Sequence, residues 1–252
     1  MSSKALRKQL LAAVAMVIVA AIAVTSSTFA WFAANTTVTA QGMSVTAKSD
    51  ASFLLIKAGT QTAAAVRTGA LTADSATTAT AALFPAAHTT AAGVGYTIDD
   101  IEDDDTTNMT DWYFKNSNDP ATSNVDVTAA QDIAVADFDK YVLANEFTIA
   151  LADGSNDVEN LKVGTCTITA TGDEAVKVIV ATDYASEEFS GAGGSGTVVL
   201  RNTGLTDGAN DIETVRIYIY WDGNDADVYT NGIADLLSTA VTVTFVADVV
   251  AA

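Results

Sequence analysis

Val215, Ile217, Ile219 and Trp221 alternate with Arg216, Tyr218 and Tyr220 along an uninterrupted run. A period of two places one set on each face of a β-strand and is incompatible with the 3.6-residue period of a helix. Asp222-Gly223 then supplies a turn. The same signature recurs upstream, where Tyr141, Leu143, Phe147, Ile149 and Leu151 share one parity, Glu146 and Thr148 take the other, and Asp153-Gly154 closes the run. Near the C-terminus Val241, Val243, Phe245 and Ala247 alternate with Thr242 and Thr244. Shorter strands are expected over Ser52–Lys57, Val163–Ala170, Val176–Ala181 and Thr197–Arg201, separated by Thr171-Gly172-Asp173 and the glycine-rich Gly191–Gly196. Strands at short spacing with Gly/Asp turns and little helical periodicity predict an all-β fold, an antiparallel jelly-roll-like β-sandwich with long loop insertions. Asp132–Lys140 and Gly232–Leu237 are the candidate short helices.

The N-terminus reads differently. Lys4, Arg7 and Lys8 precede an unbroken apolar run from Leu10 to Val24, the arrangement of a helical export signal. That run is shorter than the ~20 residues that span a bilayer. Thr28 and Ala30 provide small residues three before and directly before a cut between Ala30 and Trp31. The expected organisation is therefore a signal peptide over residues 1–30 and a single β-sandwich domain over 31–252. The alternative is a retained leader acting as the membrane contact, with Phe29, Trp31 and Phe32 as interfacial aromatics.

Twelve Lys and Arg stand against thirty-one Asp and Glu, for a net charge of −19. Loss of the three leader bases takes it to −22. Such a chain repels phosphate backbones, so a nucleic-acid partner is not expected, and its acidity suits a hydrated secreted protein. Cys166 is the sole cysteine, which excludes an intramolecular disulfide and a cysteine-based zinc site. Within Val163–Ala170 it reads as a small buried hydrophobe.

Beyond the cut, Phe32, Val38 and Ala40 are even-numbered apolar positions whereas Met43, Val45 and Ala47 are odd. A one-residue change of phase exchanges strand faces, and Gly42 sits at the change as a bulge or hinge. Ala58–Gly95 is rich in Ala, Thr and Gly and is expected to be a long surface excursion with a short helix. His88 within it reads as a solvent-exposed side chain. Asp99–Asp105 (DDIEDDD) is expected to form a solvated acidic loop ahead of the aromatic strand Trp112-Tyr113-Phe114. Asp103, Asp104 and Asp105 are calcium candidates, although the run lacks the spacing of a helix-loop-helix calcium motif. No other cofactor is expected.

Catalytic signatures are sparse. One histidine and one cysteine make a nucleophile–base pair improbable, and a helical two-histidine zinc site cannot be built. Paired carboxylates carry little information where acids are so numerous. The GAGGSG stretch at Gly191–Gly196 lacks the Lys-Ser/Thr that follows a phosphate loop and reads as a hairpin loop.

The leader ending in Thr28-Phe29-Ala30, the pair Trp31-Phe32, Asn35-Thr36-Thr37 and Gly42-Met43-Ser44-Val45-Thr46-Ala47 together resemble the TasA/camelysin family of secreted bacterial surface proteins. Tyr141–Leu151, Val215–Asp227 and Thr239–Ala247 are similar to the later strands of such proteins, while Ala58–Asp139 carries little likeness. The resemblance implies processing by a SipW-type signal peptidase. It also implies a jelly-roll subunit of extracellular biofilm matrix fibres, joined head to tail when the mature N-terminal strand is donated to the next copy. Metalloprotease activity has been described for some members, but the chain lacks a recognisable zinc motif. No sorting signal is read after Ala247, so covalent wall anchoring is not expected.

The resulting expectation is a secreted, non-enzymatic fibre subunit at the cell surface, partnering itself, with Trp31–Ala40 as donor strand, Phe32 and Val38 as its anchors and Gly42 as hinge. The alternative is a monomeric adhesin or carbohydrate-binding module on the same scaffold, using Trp112, Tyr113 and Phe114. A secreted hydrolase is the third possibility.

Overall fold

The computed structural model describes residues 54–74, 83–89, 93–102, 107–115, 130–169, 175–208, 210–224 and 240–250, and the backbone of 44–48. The chain divides into two units, Met1–Thr37 and Val38–Ala252, and every described residue belongs to the second. Trp31, Phe32, Val38, Ala40, Gly42, the Ala30–Trp31 cleavage site, the acids Asp103–Asp105 and the candidate helix Gly232–Leu237 lie outside the described residues.

The described chain is all-β, with antiparallel sheets and few short helices. The first sheet contains β1 (Ser44–Lys48), β3 (Thr72–Asp74), β8 (Val158–Thr169), β11 (Gly193–Gly194), β12 (Val199–Arg201) and β14 (Ala240–Val249). Its order is β11-β8-β14-β1-β3, with β12 also paired to β8. The second sheet runs β10-β9-β13-β7-β2, formed from β10 (Ser186–Ser190), β9 (Val176–Ala181), β13 (Glu213–Trp221), β7 (Val142–Leu151) and β2 (Leu54–Ala58). A third, three-stranded sheet orders β4 (Ala87–His88), β5 (Asn108–Lys115) and β6 (Ala130–Ala134).

Alternation explains the layering. Val215, Ile217, Ile219 and Trp221 of β13 join Val178 and Val180 of β9 in a core with Val163, Cys166, Val243 and Phe245 of the first sheet. The opposite parity is also buried: Tyr218, Tyr220, Ile179 and Ala181 pack with Trp112, Met109, Ile133, Ile98 and Ile101 of the third layer. The second sheet is thus sandwiched between two apolar layers, which is why β9 is a nearly continuous aliphatic run.

The insertion over 58–95 is tied down at some of its apolar residues, while Leu71, Phe84 and Val94 stay exposed. A short helix, Ala63–Arg67, is capped by the Thr62 side chain, and its Val66 is fully buried. Ala86 is also fully buried and clips onto the end of β13, its N–H donating to the Trp221 carbonyl at 2.9 Å and its carbonyl accepting from Gly223 N at 2.8 Å. The expected surface excursion is corrected to this extent, because a few well-spaced apolar residues suffice to dock an Ala/Thr-rich segment on an existing core. Asp132–Lys140 is not one helix: β6 ends at Ala134 and a 3₁₀ helix spans Val135–Lys140. Tyr141 caps it and leaves the parity of β7, packing against the third layer instead of the central core.

Candidate functional site

Strand pairing at the first sheet singles out β1. It runs parallel to β14, with Ser44 opposite Thr242 and Lys48 opposite Val246, whereas every other pair among the named strands is antiparallel. A parallel neighbour cannot be joined by a tight hairpin. β1 therefore docks from a distant part of the sequence and completes the β14 edge. Its far side is covered by β3, a strand of three residues running antiparallel to it.

The other edges are managed differently. On β10, Glu187 points inward and is buried. Its Oε1 accepts from Thr197 N at 2.7 Å, Thr197 Oγ1 at 3.1 Å and Val198 N at 3.3 Å, linking the second sheet to the segment that leads into β12. An inward charge on an edge strand discourages strand addition. At β2 the outer edge is bridged by Ala70, whose carbonyl accepts from Ile56 N at 3.0 Å.

The structure brings together several groups that sequence reasoning kept apart. Glu102, in the run read as a solvated acidic loop, pairs with Arg216 and accepts from Tyr218 Oη at 2.8 Å. Arg216 also reaches Glu146, Nε to Oε2 at 2.9 Å. Burial opposes the Arg216 charge, but Glu102 and Glu146 outweigh it and hold the guanidinium above its ordinary value. Burial, followed by the Glu102 charge and hydrogen bond, pushes the Tyr218 phenol up. Asp100 completes a capping box with Thr97 at the turn Ile98–Ile101, and its bonds from the Thr97 side chain and backbone lower its pKa. The acidic run is corrected here at Asp100 and Glu102, both structural.

Arg201 forms a second cluster. Its guanidinium donates to Asp211 Oδ1 at 2.6 Å, Glu213 Oε2 at 2.9 Å and the carbonyls of Thr203, Gly204 and Ile212. Burial pushes Glu213 up to about 7, with Arg201 opposing and Asp183 and Asp211 adding to the rise. Asp211 also loses hydration, but hydrogen bonds from Thr206 and the Arg201 charge hold it below the usual carboxylate range. One cation shared by two acids leaves the more buried one readier to hold a proton.

Trp112 is fully buried and its Nε1 donates to the Ile101 carbonyl at 2.9 Å, so it is a core residue and no surface platform. Tyr113 and Phe114 are half-buried. His88 is likewise half-buried, its ring 4.5 Å from that of Trp112, with Nε2 at 3.0 Å from Tyr96 Oη. The expectation of an exposed histidine is corrected: β4 places it opposite Trp112, whose tilted ring partly covers it. Cys166 faces the central core, where burial and the nearby Glu187 push its thiol up to about 12. His88 and Cys166 occupy different layers and are not brought together. Among the described residues no group of three or more His, Cys, Asp and Glu is placed to hold a metal, and no helix is long and apolar enough to cross a membrane.

The Arg216 and Arg201 clusters had one legible signal, an isolated basic residue at a polar position of an otherwise apolar strand. The acids that meet them come from distant segments. No family model, no curated protein and no solved structure matches this chain.

Proposed function

We propose that the chain is a secreted structural subunit of extracellular fibres, of the TasA/camelysin type, built on a jelly-roll-like sandwich and released from its helical export signal between Ala30 and Trp31. Assembly is head to tail: Trp31–Ala40 leaves its own subunit, pivots at Gly42 and pairs with a sheet edge of the next copy. The observation that carries this reading is the parallel docking of β1 against β14. The residues before Ser44 precede a strand that is docked from afar and not hairpin-linked, and an arm leaving it can pair with a sheet edge of the next copy, where backbone pairing supplies affinity and alternate side chains supply specificity. A head-to-tail contact that does not close into a ring continues as a filament. Electron microscopy of the protein recovered from the culture medium tests it. Unbranched filaments are expected; a monodisperse monomer over the same concentration range contradicts it.

A second reading, a surface adhesin or carbohydrate-binding module, is favoured by one observation. Phe84 is 54% exposed, and its ring lies 5.8 Å from that of Tyr141, which lies 5.3 Å from Phe114. This row of rings, not Trp112, is the surface on which a sugar face would stack. Glycan-affinity electrophoresis of the wild type and Phe84→Ala tests it, with retardation lost in the variant as the expected result.

A further inference from the structure

The third layer holds a donor set that no fibre role requires. Tyr96 Oη stands 3.0 Å from His88 Nε2 and donates to Asp111 Oδ2 at 3.0 Å. With the phenolic proton committed to the carboxylate, His88 Nε2–H donates to the phenolic oxygen. We propose that these three side chains form a binding site for a hard, trivalent transition-metal cation of the ferric class.

Spacing is the first argument. Metal–nitrogen and metal–oxygen bonds to such side chains are about 2.1 Å, and two ligands at a right angle on one metal are then separated by about 3.0 Å. The phenolic oxygen already lies at that separation from both the imidazole nitrogen and the carboxylate oxygen. Both separations are also ordinary hydrogen-bond lengths, so an ion that replaces the two protons leaves these two donor pairs at nearly the same spacing.

The donor chemistry is the second argument. One imidazole nitrogen, one carboxylate and one phenolate make a hard, oxygen-rich set that favours a small, highly charged ion over a soft one. Binding replaces the phenolic proton, which leaves to solvent, while the imidazole proton moves to Nδ1 and frees the Nε2 lone pair. Water fills the remaining coordination positions.

The support around the set is the third. His88 is held on β4 against the Trp112 ring at 4.5 Å, and Asp111 is the neighbour of Trp112 on β5. Thr89 Oγ1 lies 3.4 Å from Asp111 Oδ1, the oxygen not used by Tyr96. Tyr96 is fixed by its N–H to the Gly93 carbonyl at 3.2 Å and by the capped turn that begins at Thr97. Groups so supported lose little freedom when they ligate. All three ligands are half-buried, so an ion reaches them without unfolding the layer. The net charge of −19 raises the local concentration of cations.

Ferric nitrilotriacetate added to the purified, chelator-stripped full chain tests this. A visible tyrosinate-to-iron charge-transfer band is expected, saturating at a single ion per chain. Tyr96→Phe should abolish it, and His88→Gln or Asp111→Asn should weaken binding by more than the ~10–100-fold typical of losing an outer-shell partner. Diamagnetic gallium(III) should displace the proton resonances of His88, the only imidazole in the chain. That readout uses the wild type and stands even if a variant fails to fold. Absence of the band, its persistence in folded Tyr96→Phe, or an unmoved His88 resonance each overturns the proposal.

Discussion

Trp112 and Ile101 are joined by a hydrogen bond of 2.9 Å from the indole Nε1 to the main-chain carbonyl, and both residues are fully buried. That bond ties the three-stranded layer to the turn Ile98–Ile101 at the point where the indole meets Tyr220 edge-on, ring centroids 4.9 Å apart. Trp112→Ala removes the largest fully buried side chain among the described residues and is expected to cost about 3–5 kcal/mol in urea denaturation. Trp112→Phe keeps much of the volume but leaves the Ile101 carbonyl unpaired, and should cost less than the alanine variant. Equal stability of wild type and Trp112→Ala would mean that the third layer is not part of the cooperative fold.

Glu213 makes stability depend on pH. Its folded pKa, pushed up to about 7 mainly by burial, exceeds the ordinary value of 4.5. The folded state therefore holds a proton that the unfolded state releases between those values. The contribution is fully present below about pH 4.5 and is lost as pH rises through about 7. Thermal melts across this window should show a downward slope that Glu213→Gln flattens.

The glycine-rich loop supplies a paired test. Gly193 has a φ of +86°, and a Cβ there would overlap the Cys166 carbonyl, whereas a Cβ at Gly194 meets open space. Gly193→Ala should destabilise by about 1–3 kcal/mol and Gly194→Ala by much less. Similar effects at both positions would show that the loop does not approach β8 as described.

Cys166 should be inert while the protein is folded. Its thiol is buried and its pKa is pushed up to about 12, first by burial and then by Glu187, so almost no thiolate exists at neutral pH. Ellman's reagent is expected to label it only on addition of denaturant. Rapid labelling of the native protein would contradict its placement in the core.

Legibility in the sequence followed the physics of each element. On β13 the alternation identified both the strand and the face that meets the central core, because a half-apolar strand leaves one assignment. What it could not tell was that Arg216, Tyr218 and Tyr220 face a further layer, since tyrosines serve at surfaces and in interiors alike. β10 was missed altogether: SEEFS has two acids in five residues, and Glu187 is buried only because Thr197 and Val198, brought from another segment, donate to it. His88 and Glu102 were misread for the same reason. Their partners Trp112, Arg216 and Tyr218 become neighbours through strand pairing and the stacking of layers, which local pattern does not encode. The strand after Gly42 was readable from composition, but its parallel pairing with β14 was not.

Removal of Trp31–Ala40 tests the central claim most directly. Strand donation predicts that the shortened protein keeps the melting temperature and circular dichroism of the parent, sediments as a monomer and forms no filaments. Filaments of normal length from the shortened protein, or a monomer that no longer folds because this segment completes its own sheet, would contradict it.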